Sequence, residues 1–320
     1  MTRYFLSTLP LMMEKILSMP DALASLPIFE MLPAVKRSLA EGSNLVLAAE
    51  PGSGKTTGVP VALLDEPWLA GKTILMLEPR RLAASMAAAR LAWMLDEPVG
   101  RTVGYTIRFE RRVSPATRIE VVTEGILTRR LQRDPALEGV GLVLFDEFHE
   151  RSIHADLGLA LCLDIQHGLR EELRIMVMSA TLEVERVAEL MGNAGVVIGK
   201  GRSFPVHIFY QPPAGRYAAR EQSGTGFSST TLVRRTAALV RKAFAEQQGD
   251  ILVFLPGSGE IRASEALLHA APELEQANIL PLFGSLPKSV QEAAIRPGAD
   301  GRRKIVLATP IAETSLTIEG

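Results

Sequence analysis

The sequence predicts an α/β fold made of two doubly wound units in tandem, each with a mostly parallel sheet. Two observations predict it. Short apolar or β-branched runs alternate with helical patterns along most of the chain. Two of those runs also end in residues suited to phosphate and metal. Gly52-Ser53-Gly54-Lys55-Thr56-Thr57 follows the run 44–49, and Asp146-Glu147-Phe148-His149 follows the run 141–145. A glycine-rich turn opening a helix, with a lysine, a hydroxyl and a distant pair of carboxylates, describes a pocket for a nucleoside triphosphate and its magnesium ion.

The strands of the first unit are expected at 44–49, 73–77, 118–123, 141–145, 174–178 and 196–198. Helical patterns at 82–95, 125–133, 155–165 and 184–191 separate most of them. Near-continuous apolar strands suit a sheet covered on both faces. Composition shifts around 199–205, and 211–231 is rich in Gly, Ser, Pro and Gln, which reads as a loop. A second series follows, with helices at 232–245, 259–270 and 287–294 and strands at 250–255, 278–282 and 304–308. The expected division is an N-terminal extension at 1–25, a first domain at 26–203 and a second at 204–320.

Each part of the pocket has a chemical reason. Gly52 and Gly54 let backbone N–H groups approach phosphate oxygens, together with Ser53 and the helix N-terminus. Lys55 neutralises the terminal phosphates, Thr56 offers a hydroxyl to magnesium, and Thr57 follows in the first helical turn. Asp146 would hold magnesium, and Glu147 would orient and deprotonate the attacking water. Adjacent carboxylates at a strand end could also be a helix cap and a surface acid. His149 has no role that chemistry alone assigns. No His/Cys/Asp spacing suggests zinc.

Composition bounds the partners. The chain has 320 residues, is 47% hydrophobic and carries a net charge of −1, so nucleic acid would have to meet local basic clusters. Such clusters stand at Arg80-Arg81, Arg108 with Arg111-Arg112, Arg129-Arg130 with Arg133, and Arg302-Arg303-Lys304; solvated surface is the alternative reading. The single cysteine, Cys162, excludes an internal disulfide framework and falls in a helical run as a core residue. Glu14 and Lys15 break the N-terminal apolar stretch, so no signal peptide is expected, and no run is apolar enough for a membrane span. The expected compartment is the cytoplasm.

The motifs together resemble those of the DEAH-type superfamily 2 RNA helicases, most closely their bacterial HrpB-type branch. Asp146-Glu147-Phe148-His149-Glu150-Arg151-Ser152 resembles motif II, and 50–57 resembles motif I. Glu78-Pro79-Arg80-Arg81-Leu82-Ala83-Ala84 resembles motif Ia, and Thr123-Glu124-Gly125-Ile126-Leu127 motif Ib. Ser179-Ala180-Thr181 resembles motif III, Phe254-Leu255-Pro256-Gly257 motif IV, and Ala308-Thr309-Pro310-Ile311-Ala312-Glu313-Thr314-Ser315 motif V. The resemblance implies two RecA-like P-loop NTPase domains, the second incomplete after motif V. It implies an ATP-dependent motor that uses ATP and Mg²⁺, accepts other nucleotides, and moves on single-stranded nucleic acid, most readily RNA.

The resemblance also implies particular roles. Arg80, Arg81, Arg108, Thr123 and Thr309 would contact the nucleic-acid backbone. His149, Ser179 and Thr181 would couple the nucleotide site to domain movement. Arg90 would lie against the base, and Ile295 stands where relatives carry an opposing phenylalanine. Ala49 replaces the first glycine of the phosphate loop, which is tolerable at negative φ, and Pro310 replaces an asparagine. Arg302 and Arg303, just before the motif V strand, are expected to face solvent. The chain stops before the arginine-rich motif VI, so slow turnover, or a binding fragment without useful turnover, is expected of it.

Overall fold

The computed structural model describes residues 26–180, 184–199, 205–211, 229–296, 298, 301–312 and 318. The expected N-terminal extension, Thr181, most of the 211–231 segment and most of motif V beyond Ala312 lie outside the described residues. The chain divides into two compact units, Met1–Phe204 and Pro205–Gly320.

The first unit begins with a helix that the sequence reading did not identify, α1 (Ile28–Glu41). Its apolar residues Ile28, Met31, Leu32, Val35 and Leu39 recur at helical spacing and are buried. Pro33 lies inside it, which masks the helical pattern in a propensity reading. Strand β1 (Asn44–Ala48) then leads through the glycine-rich turn into α2 (Lys55–Leu63). The series continues with β2 (Thr73–Glu78), α3 (Arg81–Met94), β3 (Val103–Ile107), β4 (Glu110–Arg112), β5 (Ile119–Thr123), α4 (Glu124–Leu131), β6 (Val140–Phe145), α5 (Ile153–Gly168), β7 (Arg174–Ser179), α6 (Val184–Leu190) and β8 (Gly195–Ile198).

The sheet order is β4-β3-β5-β2-β6-β7-β1-β8. Every pairing is parallel except β3 with β4, an antiparallel hairpin absent from the expected strands. Gly104 and the polar tip obscured it, because a glycine weakens the strand pattern at the open end of the hairpin, beside the Tyr105–Arg112 pair. A Cβ there would stand 2.3 Å from the Arg112 carbonyl oxygen. Alternation along each strand feeds two cores. Leu45 and Leu47 of β1, with Ile74 and Met76 of β2, face the layer of α1, α2 and α3. Val46 and Ala48, with Leu75 and Leu77, face the layer of α4, α5 and α6. Both faces of the central strands are therefore dry.

The second unit contains α7 (Ser229–Glu246), β9 (Ile251–Phe254), α8 (Ser258–His269), β10 (Asn278–Leu282), α9 (Lys288–Ile295) and β11 (Lys304–Ala308). Its described sheet is parallel, in the order β10-β11-β9. Here the solvent-facing expectation for one residue is corrected. The Arg303 guanidinium donates to Gly249 O and Phe244 O, both at 2.7 Å, and stacks on the Phe244 ring.

Candidate nucleotide site at one sheet edge

Parallel strands put their carboxyl ends on one edge, and ligands of open α/β sheets gather there. β7 lies between β1 and β6, so the turn after β1 and the acid pair after β6 flank the residues that end β7. The Ala49 N–H donates to Ser179 O at 3.0 Å, which pins the start of the loop to that strand. Ala49 is not among the non-glycine residues with positive φ, so the missing first glycine costs the loop no strain.

Gly52 and Gly54 sit at φ +76° and +89°, where a side chain would be strained. Gly54 is demanded twice over, because a Cβ would also stand 2.8 Å from Leu26 Cδ1. The start of α1 presses on the loop: the Ile28 N–H donates to Ser53 O at 3.0 Å. Helix α2 opens at Lys55, whose side chain is only 4% exposed and whose Nζ lies 3.5 Å from Glu147 Oε1. Thr56 Oγ1 donates to Asp146 Oδ2 at 2.5 Å, so residues 90 positions apart in sequence meet at one point. Ser53 Oγ is buried with no partner, and Thr57 Oγ1 turns back to Gly54 O at 3.4 Å.

The acid segment is as constrained. The Asp146 N–H extends the ladder to Leu77 O at 3.0 Å, and Asp146 Oδ1 accepts the Glu147 N–H at 2.8 Å. Glu147 adopts φ +49°. Burial, with the charge of Asp146 adding to it, pushes the Glu147 carboxyl up to about 7 against the opposing pull of Lys55. His149 Nδ1 accepts the Ala180 N–H at 3.3 Å and lies 3.3 Å from Glu147 Oε2. Burial, then the Lys55 charge, lowers the histidine pKa.

Glu78 was missed as a member of this cluster. It ends β2, is 2% exposed, and its carboxyl is raised well above the usual range, first by burial and then by Asp146. The available signal was positional: Glu78 closes an apolar run, as Asp146 does.

The donor set fits a nucleotide and magnesium. A cradle of two left-handed glycines, an orphaned buried hydroxyl and a buried ammonium suit phosphate oxygens. Thr56 and Asp146 supply the few hard oxygens that magnesium takes from a protein when phosphates and water supply the rest.

Residues 32–190 match the model of the DEAD/DEAH box helicases. The chain carries a DEAD/DEAH box helicase domain. It is similar to the ATP-dependent RNA helicase HrpB of Escherichia coli (strain K12), with 48% identity over 298 residues, 93% of this chain and 35% of the relative. The crystal structure of Escherichia coli DEAH/RHA helicase HrpB superposes with a TM-score of 0.80 at 45% identity, covering 92% of this chain and 36% of that one. A second, of the E. coli DExH-box NTPase HrpB, gives 0.72 at 45% identity, over 92% and 35%. The chain thus spans about a third of the length of these relatives, and its fold is the RecA-like helicase fold.

Thr123 ends β5 on the same sheet edge. Arg80 pairs with Glu150 at 3.6 Å, and Arg81 opens α3 as an exposed residue. Arg108 stacks on Phe109 at the β3–β4 turn, beside a cavity of about 490 Å³ lined also by Arg129, Arg130 and Arg133. Arg90 is exposed on α3 and stacks on Trp93, 4.4 Å from its ring centre. In the second unit, the Thr309 N–H donates to Leu282 O at 3.1 Å. Ile295 is 1% exposed, a core side chain in no position to stack on a base.

Proposed function

We propose that this chain is the motor region of a cytoplasmic, ATP-dependent RNA helicase. It would hydrolyse a nucleoside triphosphate with magnesium and convert the cycle into movement along single-stranded RNA, gripping the backbone rather than the bases. The observation that carries the reading is the meeting of Thr56 with Asp146 and of Lys55 with Glu147. The name of the similar Escherichia coli protein, an ATP-dependent RNA helicase, supports the choice of nucleotide and nucleic acid.

The contacts support the roles of the pocket residues, and the family resemblance supports the rest. The magnesium ion, when bound, neutralises phosphate charge and orients the terminal phosphate. Gly52, Ser53, Gly54 and Thr57 would bind the phosphates through the backbone and first helical turn, and Lys55 would meet their charge. Thr56 and Asp146 would hold the ion. Glu147 would take the proton of the attacking water, a role suited to a carboxyl whose pKa lies near 7. His149, through the Ala180 N–H, would report the state of Glu147 to the strand end that carries Ser179 and Thr181. Arg80, Arg81, Arg108, Thr123 and Thr309 would meet RNA phosphates, and Arg90 would stack on the base and so accept any purine.

The test is Lys55→Ala. The variant should bind a fluorescent ATP analogue about a hundredfold more weakly, about 2.8 kcal/mol, while remaining folded, because Glu147 can take up a proton when its partner is lost. Unchanged affinity would remove the phosphate-loop assignment. Competition between matched RNA and DNA single strands tests the nucleic acid, and equal affinity would count against RNA.

A further inference from the structure

The segment after the acid pair is strained and tied down on several sides. Glu147 and Arg151 both hold positive φ, 49° and 47°, which costs a non-glycine residue on the order of 1 kcal/mol each. Its side chains reach three other segments: His149 reaches Ala180, Glu150 reaches Arg80, and Ser152 reaches Glu124. Nothing assigned so far uses the third link.

Ser152 is the N-cap of α5, and its Oγ accepts the Ala155 N–H at 3.0 Å. Its one hydroxyl proton is therefore free for Glu124 Oε2, at 2.5 Å. Glu124 is the first residue of α4, immediately after Thr123 at the end of β5. β5 and β6 are not neighbours, since β2 runs between them. The hydrogen bond therefore reaches across a strand to join the segments that follow β5 and β6. Beneath it α4 and α5 are close-packed: a Cβ on Gly158 would lie 3.0 Å from Leu127 Cδ2 and 3.4 Å from Phe145 Cε1. Elements packed this tightly move together rather than deform.

We infer that the Ser152–Glu124 hydrogen bond positions the acid segment and the Thr123 segment against each other, so that occupation of the nucleic-acid face and of the nucleotide pocket alter each other's affinity. The inference rests on the function proposed above. Such coupling is reciprocal, so either ligand can report it. A helix cap alone would make a different prediction. Ser152 caps α5 whatever Glu124 does, so substitutions at Glu124 separate the two roles.

A fluorescent ATP analogue with magnesium is titrated into the whole chain, with and without a saturating single-stranded oligouridylate. In the unaltered protein the oligonucleotide should change nucleotide affinity by a factor of about 5–150. Glu124→Ala should reduce that factor to about 2 or less, with nucleotide affinity in the absence of RNA unchanged. Glu124→Gln, which keeps the acceptor oxygen, should retain the coupling. Full coupling in Glu124→Ala overturns the inference, as does equal loss in both variants, which would trace the effect to charge at the start of α4. Equal weakening of nucleotide binding without RNA would assign Glu124 a purely structural role. If the unaltered protein binds the nucleotide but ignores the oligonucleotide, the proposed function fails first, and this inference with it.

Discussion

The two units use the same strand–helix alternation and reach different degrees of enclosure. In the first, β6 is buried along its whole length, and β1 and β2 are buried after their first residue. Among the described strands of the second, only β11 is buried throughout, and β9 leaves Leu252 and Phe254 40% and 50% exposed. The candidate chemistry sits at the edge of the enclosed sheet. A buried lysine, a strained glutamate and paired carboxyls need neighbours that cannot relax, and a sheet with two dry faces supplies them. Among the described residues of the second unit, Thr309 is held by the backbone alone, donating its N–H to Leu282 O and accepting the Ala312 N–H.

The sharpest break of this comparison is chemical. Glu147→Gln should leave nucleotide binding intact, because Lys55, Thr56 and Asp146 remain. Hydrolysis should fall by about 10²–10⁴, the usual worth of a positioned base, as read by single-turnover phosphate release. Normal hydrolysis in the variant would move the base elsewhere and dissolve the claim that the enclosed sheet holds the machinery.

Matched core truncations come next. Leu75→Ala, at a fully buried position of β2, should cost about 2–5 kcal/mol. Leu252→Ala, on the half-open face of β9, should cost no more than about 1 kcal/mol. Denaturant unfolding of each variant measures both, and equal costs would show that the second unit is as enclosed as the first.

The smallest effect is pH-dependent. The Glu147 carboxyl is raised from 4.5 to about 7 in the folded protein. Between those values the folded state holds more protons than the unfolded chain, so stability is complete below about 4.5 and declines as pH rises toward 7. The loss attributable to this group is at most about 3.4 kcal/mol. Glu147→Gln should flatten that part of the profile, leaving the slope that Glu78 adds in the same direction. An unchanged slope would place the titrating carboxyl elsewhere.

Local sequence was enough for most strands and helices, because alternation and helical periodicity are written within a few residues. It was not enough for α1, where Pro33 interrupts the helical reading, or for the β3–β4 hairpin, whose Gly104 is needed only because the Arg112 carbonyl lies against it. The fate of Arg303 was likewise illegible, since its acceptors, Gly249 and Phe244, lie more than fifty residues away.

The sequence by itself determined the two-unit α/β class, the glycine-rich turn and the acid pair, since each is a short pattern with its own backbone or chemical requirement. The tertiary structure alone decided that Thr56 would touch Asp146, that Ala180 would reach His149 and that Ser152 would reach Glu124. Those meetings depend on strand order, with β7 between β1 and β6 and β2 between β5 and β6. Strand order follows from how two helical layers bury opposite faces of one sheet, a balance struck over the whole unit rather than in any short stretch of chain.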